Sequence, residues 1–339
     1  MNTWPAEGSH YFERTFHFMA YGLALVRFLH WAASLLLTAS LLARVFLLPQ
    51  GWLGDAPHVK AWRDRYLSRL GRLARTAWAV ALLSWVLWSG LTALIMIGTD
   101  QFSDSSVVAT VLVHTQFGRL STARLAILAL TGGCLFASRR TPARERGVLT
   151  ALTVALTILN TLTLALTGHA AATPGAAGTW HLAIDALHLA AASVWPGGLA
   201  CFALLLGSMM ASPALDLRTA AARATTRFSA SSLVAVAVLG ATGLANSCFF
   251  FHDVRTVCTS LYGRLLLAKV LLFFGMLGFG AWNLFVLKAK LTRETQGAAA
   301  GRPTSTTRAL FRNVLWEMAL GTLVILAVAV LGMTEPPRP

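Results

Sequence analysis

Residues 181–207 read HLAIDALHLAAASVWPGGLACFALLLG. Apart from Asp185 and two histidines the stretch is apolar or small, and as a helix rising about 1.5 Å per residue it can cross a hydrocarbon core of about 30 Å. Seven further segments have this character, at approximately 22–48, 76–98, 120–138, 147–168, 228–248, 262–287 and 313–333. Lipid offers no partner for backbone N–H and C=O groups, and these runs are too long and too continuously apolar for barrel strands, so helices are the consistent solution. The expected fold class is all-α: a polytopic membrane helix bundle with eight transmembrane helices, forming one transmembrane domain over residues 1–339. No fixed-period repeat and no soluble domain interrupts it.

Composition agrees. Of 339 residues, 56% are hydrophobic and 12% charged, with mean hydropathy +0.64, whereas a soluble domain carries about 25% charged residues. An ordinary cytosolic enzyme and a disordered chain are thereby excluded. The net charge of +15 would suggest phosphate binding if taken alone, but its distribution says otherwise. Lys60, Arg63, Arg65, Arg69, Arg72 and Arg75 precede the second span, and Arg139, Arg140, Arg144 and Arg146 separate the third from the fourth. Arg218, Arg223 and Arg227 lie between the fifth and sixth, and Lys288, Lys290, Arg293, Arg302, Arg308 and Arg312 precede the last. Alternate connections are therefore basic, which orients helices in a bilayer and makes those loops cytoplasmic. Residues 169–180 carry no charge and 99–119 only Asp100, Asp104 and Arg119, so both termini should face outward, into the periplasm, and no nucleic-acid partner is expected. The polar N-terminal stretch lacks a short apolar region followed by a cleavage site, so no removed signal peptide is expected.

Histidine placement carries the chemistry. Only His58 falls on the basic side; His10, His17, His30, His114, His169, His181, His188 and His252 map to the outer half. Imidazole is the commonest metal ligand among side chains, and this asymmetry suggests a metal arriving from outside. His169 ends the fourth span, and His181, Asp185 and His188 follow at i, i+4 and i+7, on one helical face. His30 reaches a depth similar to that of His188, and the two can face each other if the first and fifth spans are neighbours. A carboxylate within the membrane costs about 2.5–3.5 kcal/mol on insertion scales, so Asp185 needs a cavity or a partner. Candidate partners are Arg27, Arg264 and Lys269. Asp185 is then a direct ligand, the acceptor that fixes a histidine tautomer, or half of a polar clamp between helices. His10 and His17 form an outer capture site or are simply solvated; His114 and His252 are single loop residues.

Cys134 and Cys201 sit in apolar spans as buried thiols. Cys248 and Cys258 flank an outer loop, where an oxidising compartment favours a disulfide over a pair of metal-binding thiols. Trp78, Trp180, Trp282 and Trp316 read as interfacial anchors. Trp195-Pro196-Gly197-Gly198 predicts a kink with close backbone approach. No P-loop, nucleophile elbow or protease motif is present, and the chain is expected to be a transporter and not an enzyme.

Several of these motifs occur together in a known order: Leu166-Thr167-Gly168-His169-Ala170, His181 through His188, Trp195-Pro196-Gly197-Gly198-Leu199 and Arg227-Phe228-Ser229. They continue with Leu239-Gly240-Ala241-Thr242-Gly243, Tyr262-Gly263-Arg264 through Lys269, and Trp316-Glu317. In this the chain resembles the CopD/PcoD family of bacterial inner-membrane copper resistance and copper transport proteins. Pro196 departs from the pattern, where an apolar residue is expected. The resemblance implies an eight-helix protein of the inner membrane that moves copper, as Cu(I) or Cu(II), inward to the cytoplasm with a periplasmic carrier of the CopC type. No such β-domain is fused here, so the carrier would be a separate protein. On this reading His30, His169, His181, Asp185 and His188 pass the ion, with His10, His17, His114 and His252 in weaker supporting roles. The alternative is a b-type haem electron-transfer protein with His30 and His188 as axial ligands. A structural or assembly subunit is the third possibility.

Overall fold

The computed structural model describes residues 6–48, 56–98, 104–142, 146–211, 215–249, 254–297 and 305–334. Among these no strand occurs. The helices are α1 (Ala6–Phe46), α2 (Pro57–Ile97), α3 (Ser105–His114), α4 (Gln116–Ala137), α5 (Arg146–Leu162), α6 (Gly175–Val194), α7 (Pro196–Met210), α8 (Leu215–Cys248), α9 (Val254–Thr259), α10 (Leu261–Trp282), α11 (Lys288–Gly297) and α12 (Ser305–Leu331). Eight are long and apolar enough to span a membrane, α6 and α7 counting as one broken span. The protein is a multi-pass membrane helix bundle.

The break comes where Pro196 removes an N–H donor from the helix. Trp195 sits at the edge of the helical region, at φ −92° and ψ −72°, and Pro196 opens α7. A Cβ on Gly197 would lie 3.0 Å from the Leu35 carbonyl of α1, so glycine is what lets the two backbones meet. The helix is interrupted there and the close backbone approach is present. α1 occupies the centre, touching α2, α5, α6, α7 and α12. Its span is 61% buried and that of α6–α7 56%, against 11% for the span beginning at α10, which places these two at the core and α10 at the rim.

Apolar packing gives little net driving force between helices surrounded by lipid, so close contacts and interhelical hydrogen bonds must specify the arrangement. Thr38 donates to the Thr157 carbonyl at 2.9 Å, Tyr66 to Cys201 at 3.1 Å, and Trp85 to Ser121 at 3.1 Å. Trp78 behaves likewise. Its indole donates to the Leu128 carbonyl at 2.7 Å and its ring packs over Gly132, so it joins α2 to α4 instead of anchoring the surface. Trp180, Trp282 and Trp316 are exposed.

α5 ends in two turns of 3-10 helix, Thr163–Thr167 and His169–Ala172. α10 passes into a π-helical turn, Asn283–Leu287, before α11. Both irregular segments border cavities.

Candidate functional site

α6 carries His181, Asp185 and His188 on one face, as their spacing requires, and the helix presents that face to two adjoining cavities. The first, of about 130 Å³, is a vestibule lined by Arg27, His169, His181, Asp185, Asn246, Tyr262 and Lys269 among others. The second, of about 430 Å³, is largely apolar and contains Asp185, His188 and Lys269 as its ionisable groups. Trp31, Asp185, Gly243, Ser247, Leu266, Lys269 and Val328 line both. The carboxylate and ammonium therefore stand where one space gives way to the other, and their charges attract.

The hydrogen bonds of Thr242 assign a tautomer to His188. The Thr242 hydroxyl spends its single hydrogen on the Val238 carbonyl at 2.6 Å, so its oxygen accepts from His188 Nδ1–H at 2.9 Å. The Nε2 lone pair of a cavity-lining imidazole is thus left as an acceptor, the form a metal requires. A hydrogen-bond acceptor on the far nitrogen is the usual way such a ring is held, and here a hydroxyl takes that place. Asp185 Oδ1 accepts from Asn246 Nδ2 at 3.2 Å, while Asn246 Oδ1 is buried with no hydrogen-bond partner.

In the vestibule, His181 is 2% exposed, stacks on Phe249 at 4.1 Å and pairs through Nδ1 with the Thr173 hydroxyl at 2.9 Å. His169 Nε2–H donates to the Leu331 carbonyl at 3.3 Å, and its ring meets Tyr262 edge-on. The 3-10 turns after α5 fold His169 back over α6, close enough for the two imidazoles to interact electrostatically.

His30 lies elsewhere. It is fully buried, and Arg124, which can only donate, reaches Nε2 at 2.7 Å. Nδ1–H therefore donates to the Ala81 carbonyl at 3.0 Å, with Ser84 Oγ 3.2 Å away. Both nitrogens are consumed by protein. His30 stands between α2 and α4, does not join the α6 cluster, and does not face His188. The axial pair on which the b-type haem alternative depends has no support in this geometry.

Arg124 itself was not singled out by the sequence. Wholly buried, it also donates to the Asn160 carbonyl at 2.9 Å and to Thr163 Oγ1 at 2.5 Å, with its guanidinium 4.5 Å from the centre of the Trp85 ring. It satisfies a carbonyl left over where α5 tightens into 3-10 geometry. Arg27 lies over Trp88 at 4.6 Å and borders the vestibule. Of the three cations considered for Asp185, Lys269 shares both of its cavities, Arg27 the vestibule only, and Arg264 is exposed.

Other expectations divide. His114 is exposed at the end of α3. The side chains of His10 and His17, and all of His252, lie outside the described residues. The bridge expected between Cys248 and Cys258 is not formed: Cys248 closes α8, Cys258 sits on the separate short helix α9, and both thiols are exposed and free. Among the described residues, no three His, Cys, Asp or Glu side chains converge as a ready metal cluster. The α6 groups are instead strung along a path.

The fold and cavities define a multi-pass membrane protein with ionisable side chains gathered around cavities within the spans, a class in which such groups mark substrate or ion pathways. The chain belongs to the copper resistance protein D family. Residues 18–179 match the model for the copper resistance protein D-like N-terminal domain, and residues 222–331 match copper resistance protein D. It is 32% identical over 175 residues to copper resistance protein D of Pseudomonas syringae pv. tomato, covering 51% of this chain and 55% of that protein. It is 35% identical over 179 residues to copper transport protein CutJ of Bacillus subtilis strain 168, covering 52% and 29% respectively. Inner membrane protein YebZ of Escherichia coli K12 is 26% identical over 332 residues, covering 94% of this chain and 99% of that protein. The match thus spans about half of one copper-named relative and less than a third of the other.

Proposed function

We propose that the protein takes up copper at the vestibule and passes it along α6 across the bacterial inner membrane toward the cytoplasm. The observation that carries this reading is His188: Thr242 holds its Nδ1–H, its Nε2 lone pair remains an acceptor, and it shares a cavity with Asp185. Imidazole is a good copper ligand, and carboxylate or water completes the shell. His169 and His181 serve as the entry, and Asn246 Oδ1 supplies an oxygen beside Asp185. Lys269 neutralises Asp185 while the cavity is empty, and the arriving ion competes with it for the carboxylate. The basic loops on the opposite face support an entry side that is periplasmic. The relatives' names support copper as the cargo, and a separate carrier of the CopC type is its expected donor. The ion moves by exchange between successive partial sites, which suits a path without a closed ligand cage.

The test is copper flux into proteoliposomes containing the purified full-length protein, with bound copper measured in parallel. Protein-dependent flux that disappears in His188→Ala supports the reading. Equal flux and equal binding in wild type and His188→Ala refute it. An optical spectrum of the same preparation, oxidised and reduced, checks the haem alternative: a Soret band lost in His30→Ala or His188→Ala would revive it.

A further inference from the structure

A third cavity, of about 140 Å³, lies on the far side of Trp195 from the His188 chamber, and Trp195 lines both. It is lined by α7, α8, the end of α10 with its π-helical turn, and α12. Glu317 of α12 is 2% exposed and is the sole titratable side chain among the described residues lining that cavity from any of these elements. Its carboxylate is held by neutral donors: Asn283 Nδ2 at 2.5 Å and the Trp195 indole. Asn313 Nδ2 in turn donates to Asn283 Oδ1 at 3.0 Å, which turns the Asn283 amide hydrogens toward Glu317.

Opposite stand hydroxyls. Thr225, Ser229 and Ser232 line the cavity from one face of α8, at i, i+4 and i+7. Thr225 is 3% exposed, and its Oγ1 and the Ser232 Oγ are both buried without a hydrogen-bond partner. A carboxylate inside a membrane is costly and marks ion or proton pathways, and buried hydroxyls without a partner call for an explanation, of which a bound ion is one. The cavity supplies oxygen donors only, with no imidazole or sulfur, which suits a hard cation and not copper. Asn283 opens the π-helical turn, an irregularity frequent at functional sites.

We propose that this inner cavity binds a hard monovalent cation, a proton or sodium, on Glu317, and that its occupancy is coupled to movement of the metal. The coupling part rests on the transport reading above; the cation site does not. The physical link is Trp195. Its indole N–H is held by Glu317, its ring walls the metal chamber, and it stands at the α6–α7 break. A cation that takes up the carboxylate charge loosens the hold on that indole.

Two measurements on the full-length purified protein test this. The first is an infrared difference spectrum in the carboxyl region, induced by added sodium at fixed pH and, separately, by a pH step without sodium. A carboxyl change present in wild type and missing in Glu317→Gln is expected in one arm, and the arm identifies the cation. Identical difference spectra for the two proteins in both arms overturn the site. The second is copper flux under an imposed sodium or proton gradient. Wild type should change its flux at least threefold with the gradient identified, while Glu317→Gln and the double variant Thr225→Val/Ser232→Ala bind copper normally but lose that response. A wild-type flux indifferent to both gradients, or a Glu317→Gln flux that still follows them, overturns the coupling. Absence of copper binding in wild type would instead refute the transport reading and leave the infrared result to judge the site.

Discussion

His30 and His188 are both imidazoles at the heart of the bundle, and their surroundings give them opposite tasks. His30 spends both nitrogens on protein, accepting from Arg124 and donating to Ala81, with Trp85 and Trp88 against its ring. His188 spends one nitrogen on Thr242 and lines a cavity of about 430 Å³. The difference teaches that depth and residue type do not make a ligand candidate: an unspent lone pair facing space does. The α1–α2–α4–α5 side of the molecule uses polar groups to lock helices together, whereas α6, α8, α10 and α12 keep theirs around cavities.

The contrast can be broken by mutation, and the largest effect is expected at His188. His188→Ala should lower copper affinity on the order of 100-fold, measured by competition with a chelator, since a direct ligand matters at least as much as the outer partners whose loss costs about 10–100-fold. Asp185→Asn should follow. It keeps the shape, removes the charge that shares both cavities with Lys269, and should abolish copper-dependent growth phenotypes while the protein still inserts. Thr242→Val leaves the imidazole but releases its tautomer, and an affinity loss of about tenfold is expected.

His30→Ala should act through stability instead. It strands an Arg124 donor in the interior, a loss of about 1–3 kcal/mol, visible as a lower thermal midpoint in detergent with copper affinity per folded molecule unchanged. An affinity loss as large as that of His188→Ala would dissolve the distinction drawn here. His114→Ala, at an exposed helix end, should change neither quantity, and His58→Ala should likewise leave copper-dependent phenotypes intact.

Much of this architecture was legible beforehand. Span length and loop charge located all eight crossings because lipid imposes one backbone solution and leaves few ways to read an apolar run of this length. The α6 face was legible from spacing, and the break at Trp195 from proline chemistry. The neighbours were not. Whether His30 meets His188 or Arg124 depends on how α1 is rotated against α2 and α4, and no periodicity within one helix states that. Cys248 and Cys258 looked like a bridge because they are close in sequence and share a loop, yet Cys258 is carried on a short helix of its own, α9, and both thiols stay free and exposed. Glu317 was visible as a residue but had no assigned role, because its significance lies in what it faces: three hydroxyls on α8 and an amide presented by a π-helical turn.

The sequence by itself determined the membrane, the number of crossings, their alternating charge and the one face of α6 that carries His181, Asp185 and His188. Those follow from hydrophobicity and helical pitch, which are local properties. Tertiary structure alone decided which buried polar groups satisfy one another and which are left facing space. That partition depends on the rotation and separation of helices, set by interhelical hydrogen bonds such as those of Arg124 and by close backbone approach such as that of Gly197 to Leu35.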